Sequence, residues 1–128
     1  MKVGIMADKY AHPSAEALAN YVTSMANTRI LVIGDICLDR FVRGDVGRIS
    51  SEGPIPVMVT RQEHRMLGQA GNTFANLHGL AVKASLLSII GNDRDGEIIN
   101  ALVKASGADA DGLIINEQTP TTVKTRYM

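Results

Sequence analysis

Two short apolar runs that each stop at a glycine constrain this chain more than any other feature: Arg29-Ile-Leu-Val-Ile-Gly34 and Ala84-Ser-Leu-Leu-Ser-Ile-Ile-Gly91. Gly112-Leu-Ile-Ile115 is a third, shorter one. Runs of this length, rich in β-branched residues, are strands buried on both faces, which is the habit of parallel sheets. The segments between them have helical spacing. Phe74, Leu77 and Ala81 share a face over 71–80, and Ile98, Leu102 and Ala105 share one after Asp93, a cap residue, with Gly107 as the stop. An earlier helix is expected from Pro13 at its first position, with Ala15, Leu18, Val22 and Met25 on one side and Asn27 at its end. Strand, helix, strand, helix, strand with short links implies βαβ crossovers and an α/β fold with a parallel sheet covered by helices.

Residues 41–61 differ in texture. Gly44, Gly47 and Gly53 interrupt the stretch, and Ile55, Val57 and Val59 alternate with Pro56, Met58 and Thr60. That period of two predicts a small β-structure projecting from the body, with Pro54 and Pro56 confining it to an edge. Residues 1–12 carry no pattern and read as a tail. A last strand begins in Thr121–Met128.

The 128 residues suffice for one domain with a modest core, and the 45% hydrophobic content fits a folded chain. With no Trp and 4% aromatics, that core must be aliphatic. Thirteen basic residues balance thirteen acidic ones, which argues against a nucleic-acid binder and leaves little repulsion against self-association. Cys37 is the single cysteine, so an intrachain disulfide is excluded. Asp8, Lys9 and Tyr10 break any leader-like run at the start, and no apolar stretch is long enough to span a membrane. The cytoplasm is the expected location.

Ligands of open parallel sheets bind beyond the carboxyl ends of the strands. Three polar, glycine-containing segments fall there: Gly34-Asp-Ile-Cys-Leu-Asp39, Leu67-Gly-Gln-Ala-Gly-Asn72 and Gly91-Asn-Asp-Arg-Asp-Gly96. Ionised carboxylates at Asp35 and Asp39 suit a polyol, because each accepts several hydroxyl hydrogens. Equally, Asp35 can close a turn while Asp39 pairs with Arg40 or Arg43. Gly68 and Asn72 lie at a helix entry that can hold a ligand or simply turn the chain. The third segment is most simply a turn and helix cap. Lys124 and Arg126 alternate, so they share one side of the last strand. They hold a phosphate if that side faces a ligand, and are ordinary surface charges if it faces solvent. Cys37 reads as a small buried hydrophobe, not a nucleophile. His12, His64 and His78 have no metal-ligand spacing, with His78 bordering the core. Neither GxGxxG after a strand nor GxxxxGK[ST] occurs, so a dinucleotide site and a P-loop are unsupported. No catalytic residue and no metal ligand is assigned.

These segments in order resemble the start of a ribokinase-type (PfkB) carbohydrate kinase, above all the heptose-7-phosphate kinases. Ile30-Leu-Val-Ile-Gly-Asp-Ile-Cys-Leu-Asp-Arg-Phe41 resembles their opening strand, and Arg48-Ile-Ser-Ser-Glu-Gly-Pro-Ile-Pro-Val57 their lid. Leu67-Gly-Gln-Ala-Gly-Asn72 is similar to the Gly-Gly-Ala-x-Asn substrate signature, and Gly91-x-Asp93-x-x-Gly96 and Thr119-Pro-Thr-Thr-Val-Lys-Thr-Arg126 are similar to later family motifs. The likeness covers residues 14 to 128.

The resemblance implies a ribokinase-like fold: a partial parallel Rossmann-type sheet, flanking helices and a small β lid at 41–61. It implies substrate contacts at Asp35, Asp39, Gly68, Gln69 and Asn72, with Lys124 and Arg126 near a sugar phosphate, here heptose 7-phosphate. It implies a homodimer through the lid and, in the intact enzyme, ATP with Mg2+. The expected reaction moves the γ-phosphate onto the anomeric hydroxyl, supplying ADP-heptose for lipopolysaccharide, sometimes beside a fused adenylyltransferase domain.

Gln69 departs from the family glycine, and its side chain either blocks close approach or needs positive φ at a cost. Ser51 and Gly53 replace Pro and Ala and should loosen the lid. The family's Gly-Ala-Gly-Asp base motif is expected beyond Met128, with most of the ATP site. The chain alone is therefore expected to bind ATP poorly, to be inactive, to be marginally stable and to associate. A non-catalytic sugar-phosphate-binding or dimerising module is the competing reading.

Overall fold

The computed structural model describes residues 12–128. The tail reading of residues 1–12 lies, up to residue 11, outside the described residues. Helix α1 (Ala15–Met25) is followed by strand β1 (Arg29–Ile33), a long hairpin of β2 (Ile36–Ile49) and β3 (Pro56–Gln69), and helix α2 (Ala70–Gly79). Then come β4 (Lys83–Gly91), α3 (Arg94–Ala105), β5 (Leu113–Asn116) and β6 (Val123–Tyr127).

The glycine-stopped runs form one parallel sheet in the order β1-β4-β5. A second sheet has the order β3-β2-β6, in which β2 and β3 are antiparallel and β6 lies parallel to β2. The expected α/β architecture is therefore present, with the hairpin as the projecting β element. The hairpin is longer than the alternating stretch at 41–61 suggests, running from Ile36 to Gln69. Pro56 opens β3, an edge strand, where the missing N–H costs no ladder bond.

The core is aliphatic apart from Phe74. Ile36 and Leu38 of β2, Leu67 of β3, Phe74 of α2, Leu86 and Ile90 of β4, and Ile99 and Val103 of α3 form one cluster. Cys37 is fully buried beside it. His78 borders this core with its ring 5.9 Å from that of Phe74.

Several local expectations shift by a residue or more. Ser14, not Pro13, starts α1: its hydroxyl accepts from the Ala17 N–H, so the proline precedes the cap. No residue of α1 is fully buried; of its apolar stripe Ala15, Leu18 and Val22 are exposed and only Met25 is half-buried. In α3 the fully buried positions are Ile99 and Val103, while Ile98 and Leu102 pack half-buried and Ala105 is exposed. Ala81 lies beyond α2, exposed and at φ 60°, instead of sharing the face of Phe74. Asp93 does cap α3, accepting from the Gly96 N–H, and Gly107 follows the helix at φ 84°. No helix among the described residues is long and apolar enough to cross a membrane.

Candidate functional site

The site is built where the hairpin meets β6. Asp39 is placed in β2, not in the preceding turn, and its register partner across the parallel ladder is Lys124. Side chains alternate along a strand, so Asp39 and Phe41 project from the same face as Lys124 and Arg126. One carboxylate oxygen of Asp39 accepts from an Arg126 guanidinium nitrogen and forms an ion pair with Lys124 Nζ, each at 3.1 Å. The partners weighed from sequence, Arg40 and Arg43, are not the ones Asp39 meets. Arg126 also lies 4.8 Å from the centroid of the Phe41 ring, a cation–π contact that fixes its plane.

Gly68 completes the floor. A Cβ there would come within 2.6 Å of Cys37 Sγ and 2.7 Å of Asp39 Oδ2, so only glycine lets the carboxylate settle against β3. The Asp39 side chain is 14% exposed, against 48% for Lys124 and 42% for Arg126. A mostly buried anion thus carries two half-exposed cations, leaving the cluster one positive charge in excess. The nearby Cys37 thiol is inert, since burial first and the Asp39 charge second push its pKa up.

Two hollows flank the cluster. One, of about 310 Å³, continues along the same face of the hairpin between Phe41, Arg43, His64, Met66 and Met128. The other, of about 330 Å³, lies at the carboxyl ends of β1, β4 and β5 and is lined by Asp35, Gln69, Gly91, Asn116, Thr119 and Thr122. One residue, Val123, separates Thr122 from Lys124, so the Cα atoms of the two lie within about 7 Å of each other. The Asp35 carbonyl accepts from the Ala70 N–H at 3.0 Å, which ties the turn after β1 to the start of α2.

The structure therefore brings Asp39, Gly68, Lys124 and Arg126 together, and places Asp35 with Gln69 in the adjoining hollow. Asn72 sits exposed on the first turn of α2 and is not among the residues lining either hollow. Sequence reasoning missed Phe41, Asn116 and Thr122. Phe41 carried a usable signal, lying two residues beyond Asp39 in an extended segment; the other two are joined to the site only by the fold.

Beside the site, the Asp93 carboxylate accepts from the backbone N–H groups of Gly96 and Thr121, and the Thr121 hydroxyl accepts from the Gly91 N–H. These bonds, that to the Thr121 backbone first, hold the Asp93 pKa below the ordinary carboxylate value. They also fix the approach of residues 119–122 to β6. Among the described residues, no group of three or more His, Cys, Asp or Glu side chains gathers to fit a metal ion.

The family model described as pfkB family carbohydrate kinase matches residues 27–127. The bifunctional protein HldE of Rhodospirillum rubrum is 44% identical over 111 residues, covering 87% of this chain and 22% of that protein. Its counterpart in Caulobacter vibrioides is 38% identical over 113 residues, covering 88% of this chain and 23% of that protein. The chain thus spans less than a quarter of the length of these relatives. Among solved structures, a carbohydrate kinase from Agrobacterium tumefaciens superposes with a TM-score of 0.61 at 20% identity, over 79% of this chain and 31% of that one. A fructokinase with bound ATP from Xylella fastidiosa gives 0.56 at 15% identity, over 79% and 30%. These last two speak for the fold, and the family match, spanning β1 to β6, speaks for descent: the chain belongs to the pfkB family of carbohydrate kinases.

Proposed function

We propose that this chain is the sugar-phosphate-binding part of a heptose-7-phosphate kinase. The observation that carries the reading is the clamp of Lys124 and Arg126 on Asp39, with its surplus positive charge beside a polar hollow. A phosphate suits the exposed sides of the two cations, and hydroxyls suit acceptor-only carboxylates. Asp39 orients the cations and offers its second oxygen to a hydroxyl. In the intact enzyme the family chemistry transfers the γ-phosphate of ATP to the anomeric hydroxyl, on the way to ADP-heptose. In this reading ATP and Mg2+ are the cofactors of the intact enzyme. The reading also includes a cytoplasmic location and pairing of hairpins between two subunits.

Calorimetric titration of the chain with a heptose 7-phosphate, the unphosphorylated heptose and inorganic phosphate tests it. Binding of the sugar phosphate that weakens at least tenfold in Arg126→Met, with Lys124→Met alike, is the expected result. Equal affinity in both variants, or none in the wild type, overturns the reading. ATP-dependent phosphorylation, assayed on the longer protein, separates a kinase from a binding module.

A further inference from the structure

The hairpin face carries more positive charge than the Asp39 clamp accounts for. Register sets His64, Phe41 and Arg126 in one row across β3, β2 and β6. Arg43 lies two residues on from Phe41, so it projects from the same face, with Gln62 opposite it. Met128 closes the far side, its N–H donating to the Val42 carbonyl and its own carbonyl accepting from the Gly44 N–H. These side chains and Met66 line the hollow of about 310 Å³. Phe41 joins that hollow to the clamp: it lines the one, and its ring lies under Arg126 of the other.

Arg43 and His64 are exposed, and among the described residues neither enters an ion pair. The charged groups on the face that His64 shares are Asp39 and Arg43 from β2 and Lys124 and Arg126 from β6. The one carboxylate among them, Asp39, is already divided between Lys124 and Arg126. Glu63 and Arg65, the neighbours of His64 in β3, project from the opposite face and pair with each other. Arginine is a permanent cation, and an imidazole gains its charge as pH falls from 8 to 5. The hollow therefore offers an anion two unclaimed donors above a floor of thioether and ring carbon.

We propose that Arg43 and His64 form a second anion subsite, so that this face takes a sugar phosphorylated at both ends. One phosphate rests on Lys124 and Arg126 and the other enters the hollow. The centres of the two pairs are roughly 10 Å apart, from the spacing of residues along a strand and of strands in a sheet. A sugar chain bridges that span with its carbons over the Phe41 ring. This rests on the sugar-phosphate reading above and adds product retention to it. The product of that reaction carries phosphates at both ends and is held more tightly than the substrate, the more so as His64 takes up its proton.

The test is titration calorimetry of the 128-residue chain with sedoheptulose 7-phosphate and sedoheptulose 1,7-bisphosphate, in wild type, Arg43→Met and His64→Asn, at pH 8 and pH 6. Expected is a wild-type advantage of at least tenfold for the bisphosphate at pH 6. Arg43→Met should cut it at least fivefold with monophosphate affinity unchanged. The advantage should widen from pH 8 to pH 6 more in wild type than in His64→Asn, a comparison that cancels the titration of the phosphates themselves. Equal affinity for the two ligands, or an advantage untouched in Arg43→Met, overturns the proposal and leaves the sugar-phosphate reading standing. The same pH response in wild type and His64→Asn also overturns it, because the subsite needs both groups. So does an Arg43→Met variant that loses both ligands alike, since the two pairs would then be one site. Failure of the wild type to bind the monophosphate overturns proposal and reading together.

Discussion

Gly68 and Asp93 do opposite things with the same economy. Gly68 contributes by what it lacks. Gly68→Ala would drive a methyl into Cys37 and Asp39, so we expect a loss of about 1–3 kcal/mol in urea unfolding. The displaced carboxylate should also release Lys124 and Arg126, seen as weaker sugar-phosphate binding.

Asp93 contributes by accepting from two segments at once, and only its ionised form does so fully. Its folded pKa is depressed, so its stabilisation is complete above the usual carboxylate value near 4 and is lost as pH falls through the lower folded value. Asp93→Ala should cost about 0.5–2 kcal/mol at pH 7 for the lost cap alone, and the gap to wild type should close in acid. Urea midpoints of the two proteins across pH 2 to 7 check this; a gap that persists at the lowest pH would refute it. The cap was legible from sequence because it is local. The Asp39 pairing was not, because its partners lie 85 and 87 positions away and only strand register brings them across.

Among the elements, the hairpin packs into the core through Ile36, Leu38 and Leu67 and also meets α3 through an ion pair. Arg40, on the opposite face of β2 from Asp39, donates to Asp95 of α3 at 2.6 Å and lies 3.4 Å from Glu63 of β3. The three side chains are 27–34% exposed, and the Arg40 Nε is buried without a hydrogen bond. A double-mutant cycle with Arg40→Met and Asp95→Ala should return a coupling of about 1 kcal/mol, the upper end for exposed pairs. Additive effects would mean that this contact does not anchor the hairpin. The basal half of β3 escaped sequence reading for a related reason. Arg61-Gln-Glu-His-Arg65 has no apolar alternation, since both its faces are largely exposed, and only pairing with β2 makes it a strand. The runs that became β1 and β4 were legible because burial had written itself into their composition.

At the scale of the whole molecule, the parallel sheet has one well-covered face and one open one. Leu31 and Ile33 of β1, Ile89 of β4 and Ile114 of β5 are each more than half exposed, and register sets Ile89 beside Ile114. Helix α1 has no fully buried residue. An apolar surface of this kind on a chain with no net charge favours association. Sedimentation velocity should reveal self-association that rises with concentration and is reduced in Ile33→Thr/Ile89→Thr. A wild-type chain that stays monomeric at high concentration would contradict this. The α/β class was legible at this scale from the order of the runs, whereas the allocation of β6 to the hairpin was decided by long-range pairing that no local pattern encodes.

That allocation has a kinetic corollary. The antiparallel hairpin closes over a short turn, but Lys124 and Arg126 reach Asp39 only when β6 returns to β2 across more than eighty intervening residues. Distant pairings of this sort form late. If the proposed function holds, phosphate uptake reports a late docking event in folding, and a refolding experiment that follows ligand uptake should lag one that follows backbone circular dichroism.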